Sequence, residues 1–208
     1  MNNPPTPLFW DSCNFIRYAT GAGNEEFVDD LSLFIDESRG KNPRWKIYYS
    51  TIVLAEFRPS LLKSTKFGGI DDFFDDFGSA FYPIDPNPVI LADAGRIKDI
   101  RPHDKSNPRM PSKRVVGTPD AIHLATCLFA RDVLGISDIS FQTLDKGKGS
   151  SWEGKCLPLV GLEDWFPPEA RCDVTKRVLG LKRELPKHPE PRLIGLVGSK
   201  TAASSVGN

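Results

Sequence analysis

Four carboxylates in the 208-residue chain stand where side-chain oxygens could gather. Asp11 ends the apolar run "PLFW" and is followed by Ser12, Cys13 and Asn14. An isolated buried carboxylate is expensive, so Asp11 needs a hydrogen-bond network, a cation or an exposed edge. Glu56 lies in "STIVLAEF", Asp120 in "GTPDAIHLA" and Asp145 in "FQTLD". If the four converge, they repel one another unless something cationic sits between them. Oxygen ligands without Cys or His suit Mg²⁺ or Mn²⁺ rather than zinc. Such an ion can polarise a phosphodiester, make hydroxide from bound water and steady the leaving oxygen.

The elements that must bring these groups together follow from hydrophobic patterning. Short apolar runs at 7–10, 45–50, 80–84, 139–144 and 156–161 suit buried parallel strands. Helical patterns lie between them, at 24–38, 51–65, 87–100 and 118–133. The last is the clearest, with Thr118 as N-cap and Pro119 at the first helical position. "DDFFDDF" at 71–77 fits an amphipathic helix with a solvated face. This alternation predicts a three-layer α/β sandwich around a central parallel sheet of about five strands. In such sheets, sites form outside the carboxyl ends of the strands. A strand order of 3-2-1-4-5, taken from fold analogy, makes strands one and four neighbours. Asp11 and Asp145 then stand side by side.

Composition narrows the classes. Lys plus Arg number 27 and Asp plus Glu number 27, so net charge favours neither nucleic acid nor membrane. A neutral total can still hide a local basic rim. Cys13, Cys127, Cys156 and Cys172 show no CxxC spacing, which predicts a reduced, cytoplasmic chain without a zinc site. The N-terminal "MNNPPTP" lacks the pattern of a signal peptide, and no apolar run reaches the length of a membrane span. Beyond "DWFPP" at 164–168 the sequence turns basic and Pro-rich, ending in "SKTAASSVGN". The expected division is a domain over 1–167 and a partly disordered extension over 168–208, with "PRLIGLVG" as its one apolar patch.

"FWDSCNFI", "YYSTIVLAEF", "GTPDAIHLA" and "FQTLD", in this order, resemble the PIN-domain ribonucleases, in particular their toxin-like bacterial branch. The resemblance covers most of residues 7–165 and implies Mg²⁺- or Mn²⁺-dependent hydrolysis of single-stranded RNA. Carried over, Asp11, Glu56, Asp120 and Asp145 form the metal-binding and catalytic quartet. Ser12 and Thr143 support those ligands by hydrogen bonds. The toxin branch adds the expectation of an antitoxin protein, and a homodimer is a further expected partner. The chain exceeds compact toxins of this type by the basic loop at 101–117 and by the tail.

Each of these assignments has a plainer rival. Asp11 could start a helix with Ser12 or Asn14 capping it, Glu56 could sit on a solvated face, and Asp120 could simply complement a helix dipole. His123, one turn after Asp120, reads as a satisfied core histidine. "GAGNEE" at 21–26 mimics a dinucleotide fingerprint but lacks its third glycine. Arg101, Lys105, Arg109, Lys113 and Arg114 in the loop, with Lys146 and Lys148 after Asp145, form a candidate rim for the RNA backbone, of which Arg101, Lys113, Arg114 and Lys146 are the leading choices. Two other classes compete with a nuclease. One is a non-catalytic PIN-like RNA-binding or assembly module. The other, an aspartate-nucleophile phosphatase, wants Asp-x-Asp where this chain has Asp11-Ser12-Cys13.

Overall fold

Strand β1 (Thr6–Trp10) is the middle of a five-stranded parallel sheet in the computed structural model. The structure describes residues 4–21, 25–62, 65, 67–104, 107, 109–146 and 155–190. On one side β1 pairs with β2 (Trp45–Ser50), with Leu8 opposite Ile47, and β2 pairs with β3 (Phe81–Ile84). On the other side it pairs with β4 (Ser140–Gln142), with Phe9 opposite Phe141, and β4 pairs with β5 (Lys182–Glu184). The order is therefore β3-β2-β1-β4-β5, the order expected by analogy.

Side chains alternate across a strand, so β1 feeds both faces of the sheet. Leu8 and Trp10 point into one core with α1 (Ser12–Thr20), α2 (Val28–Ser38) and α4 (Ile70–Phe77). Phe9 points into the other, against α5 (Pro88–Lys98), α6 (Thr118–Asp132) and α7 (Asp173–Leu179). Both faces are thus covered, as a parallel sheet requires. Helix α4 buries Phe73 and Phe77 and exposes Asp71, Asp72 and Asp75. Asn87 starts α5 by accepting from the Val89 and Ile90 amides at 3.0 and 3.1 Å.

Several expected elements change. The helix expected over 51–65 shrinks to α3 (Val53–Glu56). Pro59 explains this, because a proline pushes the residue before it, Arg58, out of the helical region. The run at 156–161 is not a strand: it makes one bridge, Cys156 to Val115, and leads into a 3₁₀ turn at Leu162–Trp165. The fifth strand is instead β5, beyond the expected domain boundary at 167.

Residues 168–190 belong to the folded unit. Val178 and Leu181 are buried in the second core, and β5 completes the sheet. His188 then inserts between Phe34 and Trp45, with ring centroids 4.8 and 5.9 Å away. Its amide donates to Asp30 Oδ1 at 2.7 Å. "PRLIGLVG" and the terminal segment lie outside the described residues. Among the described residues, no helix is long and apolar enough to cross a membrane.

Candidate active site

Asp11 sits just past the carboxyl end of β1 as the N-cap of α1, and it is buried. Its Oδ1 accepts from the Ser12 amide at 2.7 Å and from the Ser12 hydroxyl at 3.3 Å. Its Oδ2 accepts from the Thr143 hydroxyl at 2.7 Å and from the Cys13 thiol at 3.1 Å. Asp11 is thus its own helix cap; neither Ser12 nor Asn14 takes that part. Asn14, fully buried, ties the start of α1 to β4 instead, donating to the Gln142 carbonyl at 2.7 Å.

Thr143 links two of the carboxylates. While donating to Asp11, its hydroxyl accepts from the Asp145 amide at 3.1 Å. The Asp145 carboxylate is held from the other side by the Leu159 amide at 3.2 Å. The segment at 156–161, expected as a strand, therefore braces this carboxylate.

Asp120 enters from the first turn of α6. Gly117 is the N-cap there, one residue before the expected Thr118. A Cβ at residue 117 would stand 2.5 Å from Asp120 Oδ2. The glycine therefore leaves the space that the Asp120 carboxylate fills.

Asp11, Asp120 and Asp145 line one cleft of about 620 Å³, together with Ser12, Cys13, Arg17, Glu26, Phe27, Leu144, Lys146, Cys156 and Leu157. Burial, then the negative charges of Asp11 and Asp145, push the Asp120 carboxyl up to about 7, against an opposing pull from His123. Burial and the Asp11 charge likewise raise the Cys13 thiol well above its ordinary range. Within the cleft the thiol serves as a hydrogen-bonding neighbour, donating to Asp11 and accepting from the Leu144 amide at 3.1 Å.

Glu56 is placed differently. It closes α3 and its Oε2 lies 2.7 Å from His123 Nε2, outside the lining of the cleft. His123 is completely buried, and the same nitrogen lies 3.6 Å from Asp11 Oδ1. Its Nδ1 has no hydrogen-bond partner among the described residues. Burial alone would lower its pKa. The hydrogen bond to Glu56 and the charges of Asp11, Glu56 and Asp120 overcome that and hold it above the ordinary histidine value. The core histidine expected from the sequence is therefore a bridge between two of the four acids, satisfied at one nitrogen only.

The basic rim divides as well. Lys146 lines the cleft and pairs with Glu26 at 3.2 Å. Arg101 pairs with Asp99 at 2.7 Å, away from the cleft lining. Arg114 donates to the Cys156 carbonyl at 3.3 Å and stacks on Trp165, 5.0 Å from the ring centroid. Lys113 and Arg109 are exposed on the loop, and Lys105 and Lys148 lie outside the described residues. The loop itself folds back through a His103–Pro111 bridge and is pinned by the His103 amide to the Trp165 carbonyl at 2.8 Å. Arg17, which sequence reading passed over, lines the cleft from α1 and pairs with Glu25 at 2.9 Å. Arg17 stands six residues after Asp11, a spacing that gives no helical signal that the two share a face.

Whether a divalent ion suits this place depends on its donors. Among the described residues, no three side chains of His, Cys, Asp or Glu are gathered closely enough to hold an ion as they stand. The donor chemistry fits nonetheless. The cleft offers hard carboxylate oxygens, and Asp120 is raised to about 7 by burial and then by the charges of Asp11 and Asp145, which a cation would offset.

Comparison with family models and with curated proteins gives no match. Among solved structures, the chain is similar to the crystal structure of VapBC2 from Rickettsia felis bound to a DNA fragment from their promoter. The identity is 17%, over 66% of this chain and 87% of that one, with a TM-score of 0.39. The sheet order β3-β2-β1-β4-β5 is the one that the sequence resemblance implies, and in that sense the fold is PIN-like.

Proposed function

We propose that the chain is a Mg²⁺- or Mn²⁺-dependent ribonuclease that hydrolyses phosphodiester bonds of single-stranded RNA. The observation that carries this reading is the meeting of Asp11, Asp120 and Asp145 in one cleft, with Asp120 raised to about 7 by burial and then by the charges of Asp11 and Asp145. Asp120 and Asp145 would hold the ion, with Asp11 beside them. When bound, the ion supplies Lewis-acid activation of a phosphodiester and of the attacking water. Ser12 and Thr143 keep Asp11 in one rotamer, and the Leu159 amide does the same for Asp145. Glu56 acts from behind, where it and Asp11 share His123. Lys146, and Arg114 and Lys113 from the loop, would meet phosphates on either side of the scissile bond. The toxin-like resemblance extends the reading to a toxin held in check by an antitoxin protein.

A second reading, a non-catalytic RNA-binding module, draws on the engagement of Glu56 by His123 and on the lack of a ready-made ion site among the described residues. Cleavage decides between them. Purified protein should cut an unstructured RNA with Mg²⁺ or Mn²⁺, stop on addition of EDTA, and lose activity in the Asp120→Asn variant by about a thousandfold or more. Activity that survives chelation, or binding without cleavage under every metal condition, overturns the nuclease reading.

A further inference from the structure

Twelve of the thirteen phenylalanines belong to one of the two cores or pack directly against it; Phe27 does not. It is half-buried at the cleft, next to the acidic groups. Its backbone is left-handed, with φ 71° and ψ 0°, in the position just before α2. For a bulky L-residue that conformation costs free energy, and such cost concentrates where a site needs a side chain aimed in one direction. A glycine or asparagine would fit the turn at lower cost. The aromatic ring is therefore kept for something other than packing or turn geometry.

Its surroundings indicate what. Lys146 Nζ lies 5.1 Å from the Phe27 ring centroid and is paired with Glu26. Arg17, which lines the same cleft, is paired with Glu25. One flat apolar face thus stands beside two cations that carboxylates neutralise in the free protein. A phosphate can replace a carboxylate as the partner of either cation, and a base can take the ring. Aromatic faces accept any base, and a cationic neighbour follows the backbone.

We infer that Phe27 is a stacking platform for one base of a single-stranded nucleic acid, flanking the bond presented to Asp11, Asp120 and Asp145. Lys146 exchanges the ring and Glu26 for a phosphate as the strand enters. This inference rests on the nuclease reading for the position of the reacting bond, but the stacking itself is measured separately.

The test uses the full chain and fluorescein-labelled oligonucleotides of uridine and of adenosine, followed by anisotropy at low salt in EDTA. Phe27→Leu should weaken binding by about tenfold or more, since it keeps apolar bulk but removes the flat face. Phe27→Trp should bind at least as tightly as wild type. An oligonucleotide with abasic sites should bind wild type as weakly as the intact strand binds Phe27→Leu. With Mg²⁺ present, the same loss should appear in KM, with kcat little changed. If Phe27→Leu fails to fold, the abasic arm with wild-type protein decides. Equal binding by Phe27→Leu and wild type, an unchanged KM, or indifference to abasic sites overturns the platform and leaves the nuclease reading standing. Failure of wild type both to bind and to cleave any oligonucleotide overturns both.

Discussion

Asp120 is the cleft carboxylate that burial and neighbouring charge raise to about 7. Its carboxyl titrates near 7 in the fold, against about 3.9 in an unfolded chain. Below pH 4 the group is protonated in both states and costs nothing. Between pH 4 and 7 the unfolded chain releases this proton while the fold keeps it, so stability falls as pH rises; above 7 the penalty is complete. Asp120→Asn removes the penalty. The variant should therefore melt like wild type near pH 4 and progressively higher than wild type up to pH 7, by an amount on the order of a few kcal/mol at most. Equal melting temperatures for the two proteins at pH 8 without divalent ions would mean that the carboxylates do not press on one another. Much of this was legible in the sequence, because Asp11 and Asp145 follow apolar runs and Asp120 opens an unmistakable helix. The Glu56–His123 pair was not. The two residues are 67 positions apart, and their meeting depends on α6 packing against β2, the strand that α3 follows, which no local pattern encodes.

Elements show the same division. β1, β2 and β3 fall on runs whose Ile, Tyr, Phe and Trp content is that of buried strands. β5 reads Lys-Arg-Glu and gives no such signal. An edge strand of three residues carries charge without penalty, and charge also discourages pairing with another chain. Its Arg183 is nearly buried, with the guanidinium on the Leu159, Leu181 and Val178 carbonyls and on Glu163. That network replaces the apolar packing a pattern search looks for. β5 also reaches the site, because the Thr143 amide donates to the Glu184 carbonyl at 3.0 Å while the Thr143 side chain holds Asp11. Truncation after Leu179 should accordingly be far more harmful than truncation after Glu190. It removes Leu181, the β4–β5 ladder and the His188 insertion, a loss of about 3 kcal/mol or more. For a chain of this size that is a fall of about 6–12 °C in Tm. Equal melting of the two truncated chains would show that β5 and His188 contribute nothing to the fold.

Across the whole molecule the formal charges cancel, 27 against 27, yet their distribution does not. Arg101, Arg44, Arg131 and Arg177 are each committed to surface carboxylates. In the cleft, Arg17 and Lys146 are turned to Glu25 and Glu26, while the buried His123 faces Asp11 and acts on Asp120. A neutral protein therefore keeps an acidic pocket, and the stability of the fold should respond to cations there more than to salt in general. Binding to the native state alone stabilises by RT ln(1 + [L]/Kd), about 2.7 kcal/mol at one hundred times Kd. That corresponds to a rise of about 5–10 °C in Tm. Millimolar Mg²⁺ or Mn²⁺ should give a rise of this kind in wild type, and equal ionic strength supplied as NaCl should not. Asp145→Asn should start from a higher Tm without metal, because one of the repelling charges is gone, and should gain much less when metal is added. Wild type and Asp145→Asn that melt alike in all three solutions would show that the cleft neither concentrates charge nor holds a cation. The nuclease reading would then lose its physical basis, whatever the order of the strands.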